Sequence, residues 1–230
     1  MPWLGYFEMG HRADVYVMLD DVQYIKREWI NRNRVLNRSD EGWQWINVPL
    51  YKKKQKTLIN EIEIQNSECW SKKILKTLHH VYSKAPFYSQ NIELFEDILS
   101  REWLKLLDLN IEIIKLFYGI LGMKDNLLLS SELSTATRKD NKLADICEKL
   151  GATIYLANNG SKPYIDSSKF YKRGLGFIFQ DYQHPVYSVG SFKFTPYLSV
   201  IDLVFWHGPA SLEIILKGRK KNWKDDVNCV

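Results

Sequence analysis

Cysteine is scarce in this 230-residue chain: Cys69, Cys147 and Cys229 are all there is. Their number is odd, they stand far apart and no CxxC pair occurs. That excludes a disulfide framework and a thiolate zinc site, and it points to a reducing compartment. No apolar run reaches the ~20 residues a bilayer requires, and the N-terminus carries no secretory signal pattern. A cytoplasmic protein without membrane insertion is the expectation. Charge of one sign is not concentrated either. The net charge of +5 suits anionic small molecules as well as nucleic acid, but a nucleic-acid binder usually shows a basic stripe, so no such partner is expected. Also missing are GxGxxG, Walker A, HExxH, GxSxG and HxGH. No spacing therefore fixes a reaction, and no metal is expected. Internal repeats and low-complexity segments are absent as well.

What is there is enough apolar sequence to bury a core, and many aromatics: 13 Tyr, 10 Phe and 8 Trp. Tyr and Trp combine a flat apolar face with a polar handle, which suits sugars and bases, although core packing is the commoner use. Periodicity predicts a strand over 15–19 and a hairpin whose arms, 31–37 and 43–50, flank the turn formers of 38–42. A basic loop over 51–60 and a short strand over 61–64 follow. Residues 67–122 read as a helical insertion: a helix opening at a Ser67 cap and broken by Pro86, a short helix over 94–99, and a long one over 104–121. Beyond it, strands at 127–130, 153–156 and 176–180 alternate with helices at 142–150 and 167–172. A last helix at 198–216 is entered through Pro196. This alternation predicts an α/β fold with a mainly parallel sheet flanked by helices, an antiparallel hairpin and the helical insertion. It forms one domain over 1–216, with a polar tail over 217–230.

Four polar clusters fall at strand ends, where open α/β sheets hold their ligands. The first follows the apolar run of the first strand: Asp20, Asp21, Gln23, Tyr24, Lys26, Trp29, Asn31, Arg32, Asn33 and Arg34. A carboxylate there could orient an amine or a hydroxyl, and the arginines could grip phosphate. Arg32 and Arg34 share one face of an extended strand and Asn31 and Asn33 the other. A solvated edge strand has the same composition. The second cluster, Ser130, Ser131 and Glu132, suits helix capping or a ligand. The third, around Gly160, Lys162 and Tyr164, is either an Asn-Gly turn or an anion-holding loop. The fourth holds Tyr182, His184 and Tyr187. His184 titrates nearest neutrality and suits a general base, while a histidine before proline is more often structural. His79 and His80 are neighbours on a helix, face different ways and form no metal pair. His207 reads as a packed loop histidine.

Taken in order, PWLGYF, DDVQYIKREWINRNRV, SSEL, KLADICEKLGATIYL, GSKPYID, FQDYQHPVY and FTPYLSVIDLVF resemble the WbqC-like proteins over Pro2 to about Leu216. The segment with Asp20-Asp21, Gln23-Tyr24 and WINRNR is the most specific. Family members usually begin with an extra strand and a Gln-Pro dipeptide ahead of the part matching Pro2–Phe7, and the tail after Lys217 also departs from them. The resemblance implies a cytoplasmic enzyme of surface-polysaccharide (O-antigen) biosynthesis. Its reaction would transfer an acyl or aminoacyl group, from acyl-CoA or another acyl thioester, to the amine of a nucleotide-linked amino sugar. Asp20, Asp21 or His184 would accept the amine proton, and Asn31, Asn33 or backbone N–H groups would serve the oxyanion. Lys26, Arg32 and Arg34 would hold a diphosphate, with Tyr24 or Trp29 stacking. Tyr6, Gln23, Ser131, Gly160, Lys162, Tyr164, Tyr182 and Tyr187 complete the substrate-binding set. A nucleotide-using ligase or nucleotidyltransferase, or a non-catalytic sugar-binding protein of the same pathway, is the alternative.

Overall fold

The structure, a computed structural model, describes residues 1–51, 56–67 and 69–220. It is α/β, as the alternation of strand and helix patterns predicts. The chain enters through a helix that the pattern does not announce, α1 (Leu4–Arg12). Gly5 and Gly10 weaken its intrinsic propensity, so packing must hold it. Gly10 lies so close to Tyr118 that a Cβ there would meet the hydroxyl at 2.1 Å, and Leu4 and Phe7 are fully buried.

β1 (Tyr16–Met18) follows, then the hairpin of β2 (Arg32–Leu36) and β3 (Trp43–Asn47). Its antiparallel register sets Arg32 opposite Asn47, Arg34 opposite Trp45 and Leu36 opposite Trp43. Gly42 closes the turn at φ +74°, a left-handed conformation that only glycine adopts without strain. Asn33, Val35 and Ile46 face the core, while Arg32, Arg34 and Trp45 stand on the outer face.

The strand expected at 61–64 is not part of a ladder. Ile59–Glu61 forms a 3-10 turn, and Glu63 and Ile64 make only isolated bridges, to Lys105 and Leu50. The alternation itself is correct: Ile62 and Ile64 are buried and the two glutamates exposed. Of the expected basic loop, residues 52–55 lie outside the described residues.

The helical insertion consists of α2 (Trp70–Tyr82), α3 (Tyr88–Ser100) and α4 (Leu106–Ile120). Ser67 does not cap α2; Cys69 holds that position, and its side chain makes no capping bond. α3 starts well before residue 94, because Tyr88, Ile92 and Phe95 all find core partners. Then come β4 (Leu127–Leu129), α5 (Lys139–Lys149), β5 (Ile154–Ala157), α6 (Ser168–Tyr171) and β6 (Gly176–Phe179). The single helix expected at 198–216 is two, α7 (Val200–His207) and α8 (Ser211–Lys217), parted at Gly208–Ala210. Pro209 offers no N–H to continue the first helix. Residues 218–220 do not fray: Gln183 N–H donates to the Gly218 carbonyl at 2.8 Å and Arg219 bridges Tyr182. The rest of the tail, 221–230 with Cys229, lies outside the described residues.

Parallel pairing comes as two separate two-stranded ladders. Tyr16–Met18 of β1 pair with Leu127–Leu129 of β4, and Ile154–Ala157 of β5 with Gly176–Phe179 of β6. A chain of rings packs the helices: Phe7 on Phe117 at 5.5 Å, Phe117 on Phe95 at 5.3 Å, Phe95 on Phe205 at 5.8 Å, and Phe205 on Tyr82 at 5.2 Å. All five side chains are fully buried, each contributing roughly 1.5–3 kcal/mol of transfer free energy. A smaller core of Ala144, Cys147, Ala157, Phe170 and Phe177 lies among α5, β5, α6 and β6.

Candidate functional site

Because β1 and β4 are parallel neighbours, their C-terminal ends lie side by side. That brings two clusters far apart in sequence into one hydrogen-bonded group. Asp20 is 2% exposed. Its Oδ1 accepts from the Ser131 backbone N–H at 2.9 Å and the Ser130 hydroxyl at 3.1 Å, and its Oδ2 from the Asn60 amide at 3.2 Å. Burial pushes its carboxyl up, but the bonds from Ser131, Asn60 and Ser130 outweigh that and hold it below the usual carboxylate range. Asp21 accepts from the Ser130 hydroxyl and, at 2.6 Å, from the ammonium of Lys142, which also donates to Thr135 at 2.8 Å. Lys142 is 6% exposed on α5 and has no place among the expected site residues. A lysine in the first turn of a helix reads as solvated, and only the approach of α5 to the end of β1 makes it a buried partner.

The hairpin carries the second group. Arg32 lies over the Trp45 ring at 4.2 Å, and Arg34 contacts Trp29 at 5.1 Å and Trp43 at 4.9 Å. Trp45 in turn meets Trp29 at 5.3 Å and Trp43 at 5.5 Å. Guanidinium and indole planes thus alternate along one face, and each contact of this kind contributes about 0.5–2 kcal/mol. Arg32 donates to the Arg27 carbonyl and Arg34, at 3.4 Å, to the Tyr197 carbonyl. Among the described residues neither guanidinium meets a carboxylate. Trp29 is half exposed, and Lys26 and Gln23 are exposed beside it.

The asparagines on the opposite face are braces. Asn31 Nδ2 donates to Asn47 Oδ1 at 2.8 Å and to the Val48 carbonyl at 2.9 Å, while its Oδ1 accepts from the Tyr24 hydroxyl at 2.7 Å. Tyr24 is buried by that bond, so its ring offers no open face for stacking. Asn33 is buried and donates to the Met1 carbonyl at 2.5 Å.

His184 is 8% exposed. Its Nδ1 lies 2.9 Å from the Pro185 carbonyl. A carbonyl only accepts, so Nδ1 carries the proton and Nε2 is the bare nitrogen of a neutral imidazole. Burial lowers the histidine pKa, keeping it neutral. Nε2 is buried and, among the described residues, without a hydrogen-bond partner. The ring is walled by Tyr197 at 5.3 Å, Phe194 at 5.9 Å and Tyr187 at 6.1 Å. Tyr187 is fixed by its hydroxyl, which donates to Asp202 at 2.8 Å. Tyr182 packs edge-on to Trp3 at 5.6 Å, and Trp3 reaches Tyr197 at 5.9 Å. Through Tyr197, then, Arg34 of the hairpin and His184 are linked.

The remaining candidates stand elsewhere. Tyr6 packs edge-on against Tyr16 at 5.0 Å, and burial raises the pKa of its phenol, keeping it neutral. Gly160 lies in the 3-10 turn Asn159–Ser161 after β5; Lys162 rests 5.2 Å over Phe179, and Tyr164 is 73% exposed. No hydrogen bond joins these three to either group above.

A family model for the WbqC-like protein family matches residues 1–214. The chain belongs to the WbqC-like protein family. A relative, the uncharacterized protein Rv1507c of Mycobacterium tuberculosis (strain ATCC 25618 / H37Rv), is 29% identical over 213 residues, 89% of each chain. No solved structure matches. Both groups of side chains lie within the span of this WbqC-like match. Trp3, Trp43, Trp45, Asn60, Lys142 and Tyr197 join them although none was among the expected site residues; Trp3, Lys142 and Tyr197 lie in segments that carry the family resemblance, and the other three in none. For Trp43 and Trp45 the period-two alternation of β3 was the available signal.

Proposed function

We propose that this WbqC-like protein acts in bacterial surface-polysaccharide biosynthesis as an N-acyltransferase on a nucleotide-linked amino sugar. The observation that carries the reading is the junction of the hairpin face with His184. Two guanidiniums with no carboxylate partner among the described residues stand two residues apart on one strand face, wedged by three indoles. Bidentate guanidinium bonds fit the diphosphate, and the outer face of Trp29 or Trp45 fits the base or sugar. His184 follows across Tyr197, with a vacant acceptor nitrogen.

In this reading the sugar amine attacks the carbonyl of an acyl thioester. The C–N bond forms, the C–S bond breaks, His184 Nε2 takes the amine proton, and the thiol leaves with a proton returned from the imidazolium. His184 is preferred over Asp20 and Asp21 because Asp20 is a weakened base held by hydrogen-bond donors and Asp21 is paired with the Lys142 ammonium. Their network supports β1 and β4 in this account. With both Asn31 hydrogens engaged and Asn33 buried on the core face, an oxyanion would draw on backbone N–H groups.

The test is thiol release from a panel of acyl thioesters with nucleotide-linked amino sugars. Turnover should require the free amine. Arg34→Gln should raise KM for the sugar nucleotide at least tenfold, and His184→Gln should lower kcat by about 10²–10⁴. Silence across the panel, or full activity in His184→Gln, defeats the reading.

A further inference from the structure

We propose that Tyr197 is a positioning residue that closes over His184, and that an anion bound by Arg34 opens it. The proposal rests on the reading of His184 as the base, but its test needs no turnover.

Tyr197 is held in a conformation its side chain disfavours. Its φ is +61°, in the left-handed region that non-glycine residues adopt only under constraint. Its neighbours leave the strain nowhere else to go. Pro196 has a ring-fixed φ. Leu198 is fully buried, and Ser199 is anchored to the hairpin by its N–H, which donates to the Arg34 carbonyl at 2.8 Å. Residue 197 is thus the single soft joint between a stiff residue and an anchored one. The ring it carries is half exposed.

Of the three walls around His184, Tyr187 is buried and tied to Asp202, and Phe194 is partly buried. Tyr197 alone is both exposed and strained. The imidazole that it covers has a buried Nε2 with no partner among the described residues, an arrangement that costs free energy unless it serves something. The contact that helps keep Tyr197 in place is the bond from Arg34 to its carbonyl, long at 3.4 Å. A phosphate oxygen would make shorter, charge-assisted bonds to the same guanidinium and displace that carbonyl. Freed of it, residue 197 relaxes toward the extended region and its ring leaves the imidazole. Occupation of the arginine face thereby exposes the base only when an anionic substrate is seated, which keeps water from the acyl donor's side until then.

Diethyl pyrocarbonate, which acylates neutral imidazole nitrogens, reads the exposure of each histidine when peptides are resolved by mass spectrometry. Pyrophosphate is the anion probe, and His80, exposed on α2, is the internal reference. Modification of His184 should be slow in the free protein and accelerate at least tenfold with saturating pyrophosphate, His80 staying constant. Tyr197→Gly, which relieves the backbone and removes the ring, should be fast without pyrophosphate. Tyr197→Phe, which keeps the ring, should behave as the parent. Arg34→Gln should remove the acceleration. A His184 rate indifferent to pyrophosphate, or a Tyr197→Gly protein as slow as the parent while its circular dichroism is native, overturns the proposal. Acceleration without acyl transfer would leave this gate standing and remove the acyltransferase reading. Acyl transfer with a constant His184 rate would do the reverse.

Discussion

Asn31 has two amide hydrogens and one carbonyl oxygen, and protein groups engage all three atoms. A residue so engaged is a brace, whatever its segment's resemblance implies. Asn31→Ala should lower stability by roughly 1–3 kcal/mol, since it removes an acceptor of the Tyr24 hydroxyl and the donor to Asn47 and Val48. Urea unfolding gives that number, and calorimetry with pyrophosphate on the folded variant gives the other half. Affinity within about threefold of the parent fits bracing, whereas a tenfold loss would return Asn31 to the ligand site. At this scale the period-two rule places Arg32 and Arg34 on one face and the asparagines on the other, and that much was legible. The division of labour was not, because a hydrogen-bond partner seventeen residues away leaves no trace in local pattern. His184 illustrates the same limit: its type was legible, while its bare Nε2 depends on burial by three rings.

Lys142 and Asp21 join elements rather than residues. One lies on α5, which packs on the smaller core, and the other follows β1, which enters the larger. Lys142→Met leaves Asp21 without its cation. The cost should be roughly 2–3 kcal/mol, less than the 3–5 kcal/mol of a fully buried pair, because the Asp21 side chain keeps 22% of its exposure. Adding Asp21→Asn should recover much of that loss. A double-mutant cycle that is additive within about 0.5 kcal/mol would mean that the pair does not couple the two elements. Element positions were legible wherever burial imposed a clean period, as in β2, β3, α2 and α4. α1 escaped because its glycines are suited to close approach, not to helix propensity. The 61–64 strand misled because isoleucine alternation reports burial on one side, and a 3-10 turn with isolated bridges satisfies that as well as a ladder does. The last helix was overextended because apolar residues continue straight through Gly208-Pro209.

At the scale of the whole molecule, α7 runs through the larger core with Asp202 in its first turn, fully buried. Burial pushes its carboxyl from 3.8 up to about 6, against the pull of the Tyr82 and Tyr187 hydroxyls. The sign follows from proton counting. Between pH 3.8 and about 6 the folded protein keeps a proton that the unfolded chain has released, so stability falls as pH rises through that window. Above it both states are ionised, and the full cost, on the order of 3 kcal/mol, is present. His184 acts oppositely, since a histidine whose folded pKa is depressed lends stability that grows toward its ordinary value of 6.5. The two slopes partly cancel in the parent protein, so the informative quantity is a difference. Asp202→Asn keeps an acceptor for the Tyr187 hydroxyl and cannot ionise. Its stability relative to the parent, from urea unfolding at each pH, should rise by about 3 kcal/mol between pH 4 and pH 7 and then stay level. A difference that does not change across that window would show that Asp202 ionises no less readily in the fold than in the open chain, and that its charge on α7 carries no folding cost at neutral pH.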